Sequence, residues 1–535
     1  MILINASSRE TLKLVQDFVP IHPPVGVGYL EGYALSKGIN VKHIDQELED
    51  VEERVKVLIS DLTPPYIFGF SVLTASFKTA VVTSEHLKKL YPDCFIVFGG
   101  VHPTMLPNES LAYDHIDAVV RGEAEQPLVD LYDCIKAGKD YTWIQNLSYK
   151  KDGTIHGNSI DYIVKDLDEY SWPYHLYKDD RYDMGFMMSS RGCPYRCIFC
   201  SIQATPGGRR YRYRTEDVIV DELVMLNEEL GLTKVSFTDD IFTVNKKRQY
   251  RLTKKIKEKG LHKKMTFTFQ GRGDHLTREL AEELYSAGFN TCLFGIETAS
   301  EQIMKTIDKG ETVAELERGI EIAKQVGMHV AGTYIFGLPG ETHEDRMDCV
   351  RASEKLGLHS VRYNNATPYP GTALYHTAVK EGRLHNQGGM WENFVAVSGI
   401  TENPFKQVPF AYLPPGPGNS EEEIKRDILL AHLVSYSHVG TVLKAIFKRS
   451  KNPNWFVIGR NPIEFLKKMP RLGFLAVMIV GKVTHLFYQL LIKKKTRLPL
   501  RHLFEIFSIP YKIRKVRQEK IEKIHFPHSV RERWL

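Results

Sequence analysis

A chain that repeats one pattern, a short apolar run followed by a longer stretch with helical spacing, has few folds open to it. In the first block the runs are MILINA (Met1–Ala6), NVKHID (Asn40–Asp45), YIFGFSV (Tyr66–Val72), CFIVFGG (Cys94–Gly100) and AVVRGE (Ala118–Glu123). Each suits a buried parallel strand, so the pattern predicts an α/β fold that begins with a doubly wound, Rossmann-like domain over residues 1–137. Open α/β sheets hold ligands beyond the C-terminal ends of their strands. Ser71, Gly99, Gly100, Val101, Gly122 and Glu123 fall there.

The alternation returns in a second block, with runs at Met184–Ser190, Lys234–Thr238, Met265–Gln270, Asn290–Gly295, His329–Ile335 and Ser360–Asn365. At or just after their C-terminal ends stand a cysteine loop, TDD, QGRGD, GIETAS, GLPGE and NNATPYPGT. That is the active-site face of a β/α barrel, and the spacing predicts a partial (β/α)6, TIM-type barrel over 183–375. Residues 138–182 read as a linker with a hairpin at Asp152-Gly153. The region 376–535 reads as helical, with Ser420 placed to cap a helix that starts with acidic residues.

Seven cysteines in 535 residues are too few for a disulfide scaffold, and no secretory signal opens the sequence, so a reducing cytoplasm is the expected location. The formal net charge of +6 hides an asymmetry. Residues 441–535 hold 22 Lys and Arg against 5 Asp and Glu, a net +17, which leaves −11 for the rest.

Three of the cysteines lie within SSRGCPYRCIFCS (Ser189–Ser201), as C-x3-C-x2-C at Cys193, Cys197 and Cys200. A structural zinc site needs four ligands, and the nearest candidates for a fourth are Cys292 and His175. A cubane iron–sulfur cluster held by three cysteines keeps one iron free to bind a substrate or cofactor. The non-enzyme alternative is a zinc-binding regulatory protein.

This loop at the end of a first barrel strand resembles the signature of the radical S-adenosylmethionine (SAM) enzymes, and Phe199, before the last cysteine, matches it too. The resemblance implies a [4Fe-4S] cluster on Cys193, Cys197 and Cys200 whose free iron chelates SAM and reduces it to a 5′-deoxyadenosyl radical. It implies SAM contacts from Phe199, Asp239 and Asp240 of TDD, which stands where the family usually has Gly-Gly-Glu, and from Gln270, Arg272, Glu297 and Gly337. The first block resembles the cobalamin-binding domain of one large subgroup, through PPVGVGYLEGYALSKG (Pro23–Gly38), FSVLTASF (Phe70–Phe77), FGGVHPTMLPNE (Phe98–Glu109) and VVRGEAEQPL (Val119–Leu128). Cobalamin contacts are implied for Ser71, Gly99, Gly100, Val101, Gly122 and Glu123. The D-x-H-x-x-G string that supplies a cobalt-ligating His elsewhere is missing, and His102 reads as closing a strand-end turn through a backbone hydrogen bond.

The expected activity is cobalamin-dependent methylation of an unactivated carbon on a small-molecule or lipid substrate, with an electron donor such as flavodoxin or ferredoxin. The alternatives are a radical SAM cyclase or carbon–carbon coupling enzyme, and a tRNA-modifying enzyme. The tail lacks the aromatic, small-β pattern of an RNA-binding barrel, so nucleic acid is not the expected partner. Within it, LGFLAVMIVGKVTHLFYQLLI (Leu472–Ile492) carries Lys482, His485 and Gln489 on one side and is flanked by basic clusters. That predicts peripheral contact with an anionic membrane, at the inner face.

Overall fold

The computed structural model describes residues 1–8, 22–169, 172–179, 181–182, 185–385, 391–394, 409–436, 477 and 480–523. All five strands expected in the first block are present: β1 (Ile2–Asn5), β2 (Lys42–Asp45), β3 (Ile67–Ser71), β4 (Phe95–Gly99) and β5 (Ala118–Val120). They run parallel in the order β2-β1-β3-β4-β5, a doubly wound topology. The middle strands are apolar on both faces, as burial under helices on each side requires.

The expected hairpin forms as β6 (Leu147–Lys151) and β7 (Thr154–Gly157), but it does not stand apart as a linker. β6 pairs antiparallel with β5, so the first sheet has seven strands among the described residues and its unit runs past residue 137. Leu147 and Tyr149 alternate into the core, which holds the hairpin to the edge.

The second block forms a sheet in sequential parallel order from β8 (Gly185–Met187) through β11 (Lys234–Phe237), β12 (Thr266–Gly271), β13 (Phe289–Glu297) and β14 (His329–Phe336) to β15 (Ser360–Asn365). β8 and β15 are its two edges and do not pair, so the barrel is partial. A short ribbon of β9 (Ser190–Arg191) and β10 (Arg212–Tyr213) brackets the cysteine loop. Several helices that return the chain start at hydroxyl caps, among them Thr277, Ser300, Thr312, Thr342 and Thr372.

Ser420 caps the helix Glu421–Tyr436 in a reciprocal pair with Glu423, as its sequence predicts. That helix packs on β15 and on the helix His343–Leu356, and the helix Leu500–Lys523 joins the same layer. Arg346, on the barrel side, donates to Asp427 at 2.7 Å, and the His343 and His502 rings meet at 3.1 Å.

The two blocks are locked by a buried polar cluster. Arg214 pairs with Glu222, both fully buried, and also donates to the Met188 carbonyl at 3.1 Å; the hydroxyls of Tyr29 and Tyr177 join them. Removing one member leaves an uncompensated buried charge. Glu222→Gln is expected to destabilise the protein by about 3–5 kcal/mol, read as a lowered midpoint in urea; an unchanged midpoint would show that the pair is dispensable.

Candidate functional site

Cys193, Cys197 and Cys200 are free thiols of intermediate exposure on the loop that leaves β9. The loop's path is fixed by backbone: Cys193 N–H donates to the Gly208 carbonyl at 2.8 Å and Ile198 N–H to the Ile307 carbonyl at 3.0 Å. Gly192 enters it at φ +90°, with space for a Cβ closed by the Arg210 carbonyl oxygen at 2.3 Å. Only glycine fits there.

Burial pushes all three thiols up, Cys197 to about 11 and Cys200 to about 12, while the cationic Lys309 and Arg272 pull Cys197 the other way. Iron ligates the thiolate, so loading this site releases protons. The donor set fits a cluster with one open iron. Cys292, the candidate fourth ligand, is fully buried on β13 within the apolar core, and the side chain of His175 lies outside those described. Among the described residues no three His, Cys, Asp or Glu side chains gather as ligands for one metal ion.

The carboxylates of TDD turn towards the approach to this loop. Asp239 accepts from Ser189 N–H (2.7 Å) and from the hydroxyls of Ser189 and Ser190 (both 2.6 Å). Asp240 accepts from Gly192 N–H at 2.8 Å, and burial raises its pKa. Both therefore brace the segment that carries the cysteines. Phe199 packs partly buried against the barrel core, and Gln270 is exposed at the end of β12.

Arg272 is buried, and its donors serve the protein: Asp274 at 3.0 and 3.1 Å, and the carbonyls of Lys309 and Gly310 at 2.9 Å each. Its guanidinium lies over the ring of Tyr195, 3.5 Å from the centroid, and the Tyr195 hydroxyl meets His275. Tyr195 stands between the first two cysteines, so this stack supports the loop from beneath.

Glu297 closes β13 at φ +65°, a left-handed conformation in a non-glycine residue, beside a register shift after Gly295. Such strain is held only by surrounding contacts and gathers at functional sites. Here Oε1 accepts from Lys309 Nζ at 2.9 Å, and Lys309 also reaches the Gly295 carbonyl. Lys309 is buried and close enough to affect Cys197, which puts a cation beside the cluster loop. Sequence reading gave no sign of it: Lys309 sits twelve residues beyond Glu297 in DKGET, a string with no motif of its own.

After β14, Gly337 turns at φ +86°, and its N–H donates to Glu341. Glu341 is fully buried; burial raises its pKa to about 8, against the pull of Arg346. A carboxyl raised in the folded state favours folding below its ordinary value of 4.5 and loses that contribution as pH climbs through about 8. Glu341→Gln is therefore expected to flatten the fall in melting temperature across this window. Parallel curves for the two proteins would refute the assignment.

At the other sheet, a cavity of about 210 Å³, open to solvent, lies over the ends of β1, β3, β4 and β5. Ser71, Gly99, Gly100, Gly122 and Glu123 line it, as does Arg191 from the barrel side; Val101 begins the short helix behind it. Gly99 leaves open room, its Cβ position being 3.6 Å from the nearest atom, the Val120 carbonyl oxygen. Glu123 is claimed by Arg212 at 2.7 and 2.9 Å and by Arg191 at 3.3 Å; burial opposes its ionisation, but the arginines prevail and hold its pKa below the ordinary value. His102 is fully buried between Phe77 and Trp391, and burial lowers its pKa to about 3. Its ring nitrogens have no hydrogen-bond partner among the described residues; the turn is closed instead by its own N–H on the Val72 carbonyl at 3.3 Å.

Cavity and cysteine loop adjoin. Gly122 faces Pro206, six residues past Cys200, at 3.4 Å from its Cβ position, and a Cβ at Gly371 would meet Met105 and Ala204. Arg191, two residues before Cys193, reaches Glu125 at 2.9 Å.

Residues 187–352 match the model of the radical SAM superfamily, and residues 12–132 that of the B12 binding domain. The chain is 32% identical over 385 residues to an uncharacterized methyltransferase, PH0819, of Pyrococcus horikoshii, covering 71% of this chain and 83% of that protein. It is 23% identical to the hopanoid C-3 methylase of Methylococcus capsulatus, over 67% and 69% of the two chains. In fold it is similar to the radical SAM methyltransferase TsrM of Kitasatospora setae, solved with cobalamin and a [4Fe-4S] cluster (TM-score 0.61, 18% identity, 71% and 77% covered). It is also similar to the cobalamin-dependent radical enzyme OxsB (TM-score 0.61, 15% identity, 99% and 82% covered). With three cysteines on the first barrel loop and a strand-end cavity in the domain before it, the chain belongs to the radical SAM superfamily, as a B12-binding enzyme that uses a [4Fe-4S] cluster, SAM and cobalamin.

Proposed function

We propose that the protein methylates an unactivated carbon of a lipophilic small molecule. The observation that carries this reading is the junction of the cavity with the cysteine loop through Arg191, Gly122 and Pro206, which supports two cofactors acting on one substrate. Bound there, the cluster with SAM supplies a hydrogen-abstracting radical and cobalamin supplies the methyl group. The chain's own part is to hold and enclose. Cys193, Cys197 and Cys200 would ligate iron, while Asp239, Asp240 and the Arg272–Tyr195 stack keep the loop in place. Gln270, Glu297 and Gly337 stand at strand ends on the same barrel face, and we assign them, with Phe199, to SAM. Ser71, Gly99, Gly100 and Gly122 would receive cobalamin.

Lipophilicity is supported by the likeness to a hopanoid methylase. We assign electron supply to a flavodoxin or ferredoxin. The test is anaerobic turnover of the holoenzyme with lipid extracts, following 5′-deoxyadenosine and S-adenosylhomocysteine. Equal amounts of both, with a product heavier by one methylene, are expected. 5′-Deoxyadenosine alone, with unmethylated product, would replace methylation by another radical reaction.

A further inference from the structure

We infer that two consecutive C-terminal helices form a surface that docks on an anionic lipid bilayer. The sequence places Lys482, His485 and Gln489 on one side of the first helix, but the structure parts them: Gln489 turns inward with Leu486 and Leu490 while His485 is exposed. The outward side of the described helix 480–491 carries large apolar side chains, Val480, Phe487, Tyr488 and Leu491, exposed beside Thr484 and His485, with Val477 before it and Ile492 after it. Residues 472–476, 478 and 479 of the predicted segment lie outside the described residues.

The next helix, Leu500–Lys523, repeats the arrangement. Leu500 (71% exposed), Phe504 (82%), Phe507 (37%) and Tyr511 (74%) recur at helical spacing, while Leu503, Ile506 and Ile509 pack inward. Phe487 and Phe507 stack at 6.2 Å, joining the two stripes into one surface. Large side chains exposed in register on two helices are not the scattered apolar residues of an ordinary surface.

Charge decides the occupant. The turn between the helices exposes Lys494, Lys495 and Arg497, with Arg501 93% exposed beside them; Lys493 is engaged by Glu422 at 2.8 Å, and Arg501 stands 3.5 Å from Glu505. An apolar face flanked by basic side chains matches acyl chains beneath anionic headgroups. No helix among the described residues is long and apolar enough to cross a membrane, and the contact inferred is one that lies on the bilayer. The inference deepens the lipophilic-substrate reading and rests on it only for the purpose of the contact.

The test is flotation of the full chain, anaerobically loaded with iron and cobalamin, on vesicles of phosphatidylglycerol and phosphatidylcholine against phosphatidylcholine alone. Binding should require the anionic lipid and weaken with salt. Leu500→Ser with Phe504→Ser, and separately Lys494→Gln with Lys495→Gln and Arg497→Gln, should each lower it about tenfold. Unchanged iron and cobalamin contents report that these surface variants remain folded. An unbound wild-type chain, or binding indifferent to both variants, would overturn the inference. So would a dimer that the Ser variant dissociates, or an RNA complex that the Gln variant dissolves, if no vesicle binding accompanies it. A chain that floats but never methylates would leave the surface standing and remove the reaction.

Discussion

Replacing any one of Cys193, Cys197 or Cys200 by Ala is expected to abolish SAM cleavage and to cut bound iron from about four atoms per chain to a small residue. Two thiolates cannot hold a cubane against loss, and the backbone bonds that shape this loop fix its path without supplying a ligand. Cys292→Ala is the control. Its thiol is enclosed by the barrel core, so the variant should keep its iron and lose only stability, about 1 kcal/mol for a small buried truncation. Iron quantification and the cluster's visible absorbance read both. If Cys292→Ala shed iron as completely as Cys197→Ala, the cluster with an open iron would be wrong.

Gly99→Leu is expected to weaken cobalamin binding about 100-fold, an overpacking penalty near 3 kcal/mol, while iron stays bound. Gly99 lines the cavity and its Cβ position meets nothing closer than 3.6 Å, so the added side chain fills ligand space rather than colliding with the protein. Gly100 is the wrong position for this question. At φ +95°, with Val72 backbone atoms 2.7 Å from its Cβ position, any substitution strains the sheet end itself. Equilibrium titration with hydroxocobalamin, alongside iron content, separates the two sites. Undiminished binding by Gly99→Leu would move cobalamin out of this cavity.

Much of this architecture was legible because it rests on local pattern. Strand-length apolar runs placed all five parallel strands of the first block and all six of the barrel, with the motif residues at or just after the strand ends. Partners distant in sequence left no such trace. Arg272 carries the look of a ligand-binding arginine, yet its donors are consumed by Asp274, Lys309 and Gly310. Lys309 and His275 come to the cysteine loop only through tertiary contacts of the barrel. The hairpin at Asp152-Gly153 was readable as a turn, but its annexation by the first sheet depends on β5 offering an open edge, which no local spacing records. In the tail, helical period showed that two faces exist without showing which one the barrel would cover.

Arg191 closes β9, two residues before Cys193, and its guanidinium ends on Glu123 and Glu125 of the preceding domain. The strand that leads into the iron-receiving loop is held within the barrel by β10, Asp239 and Asp240, and gains this further anchor once the N-terminal domain, which ribosomal synthesis delivers first, has docked. Separation of the two halves would remove a wall of one cofactor's pocket and an anchor of the other's loop together, so retention of the cluster and retention of cobalamin are properties of one joint.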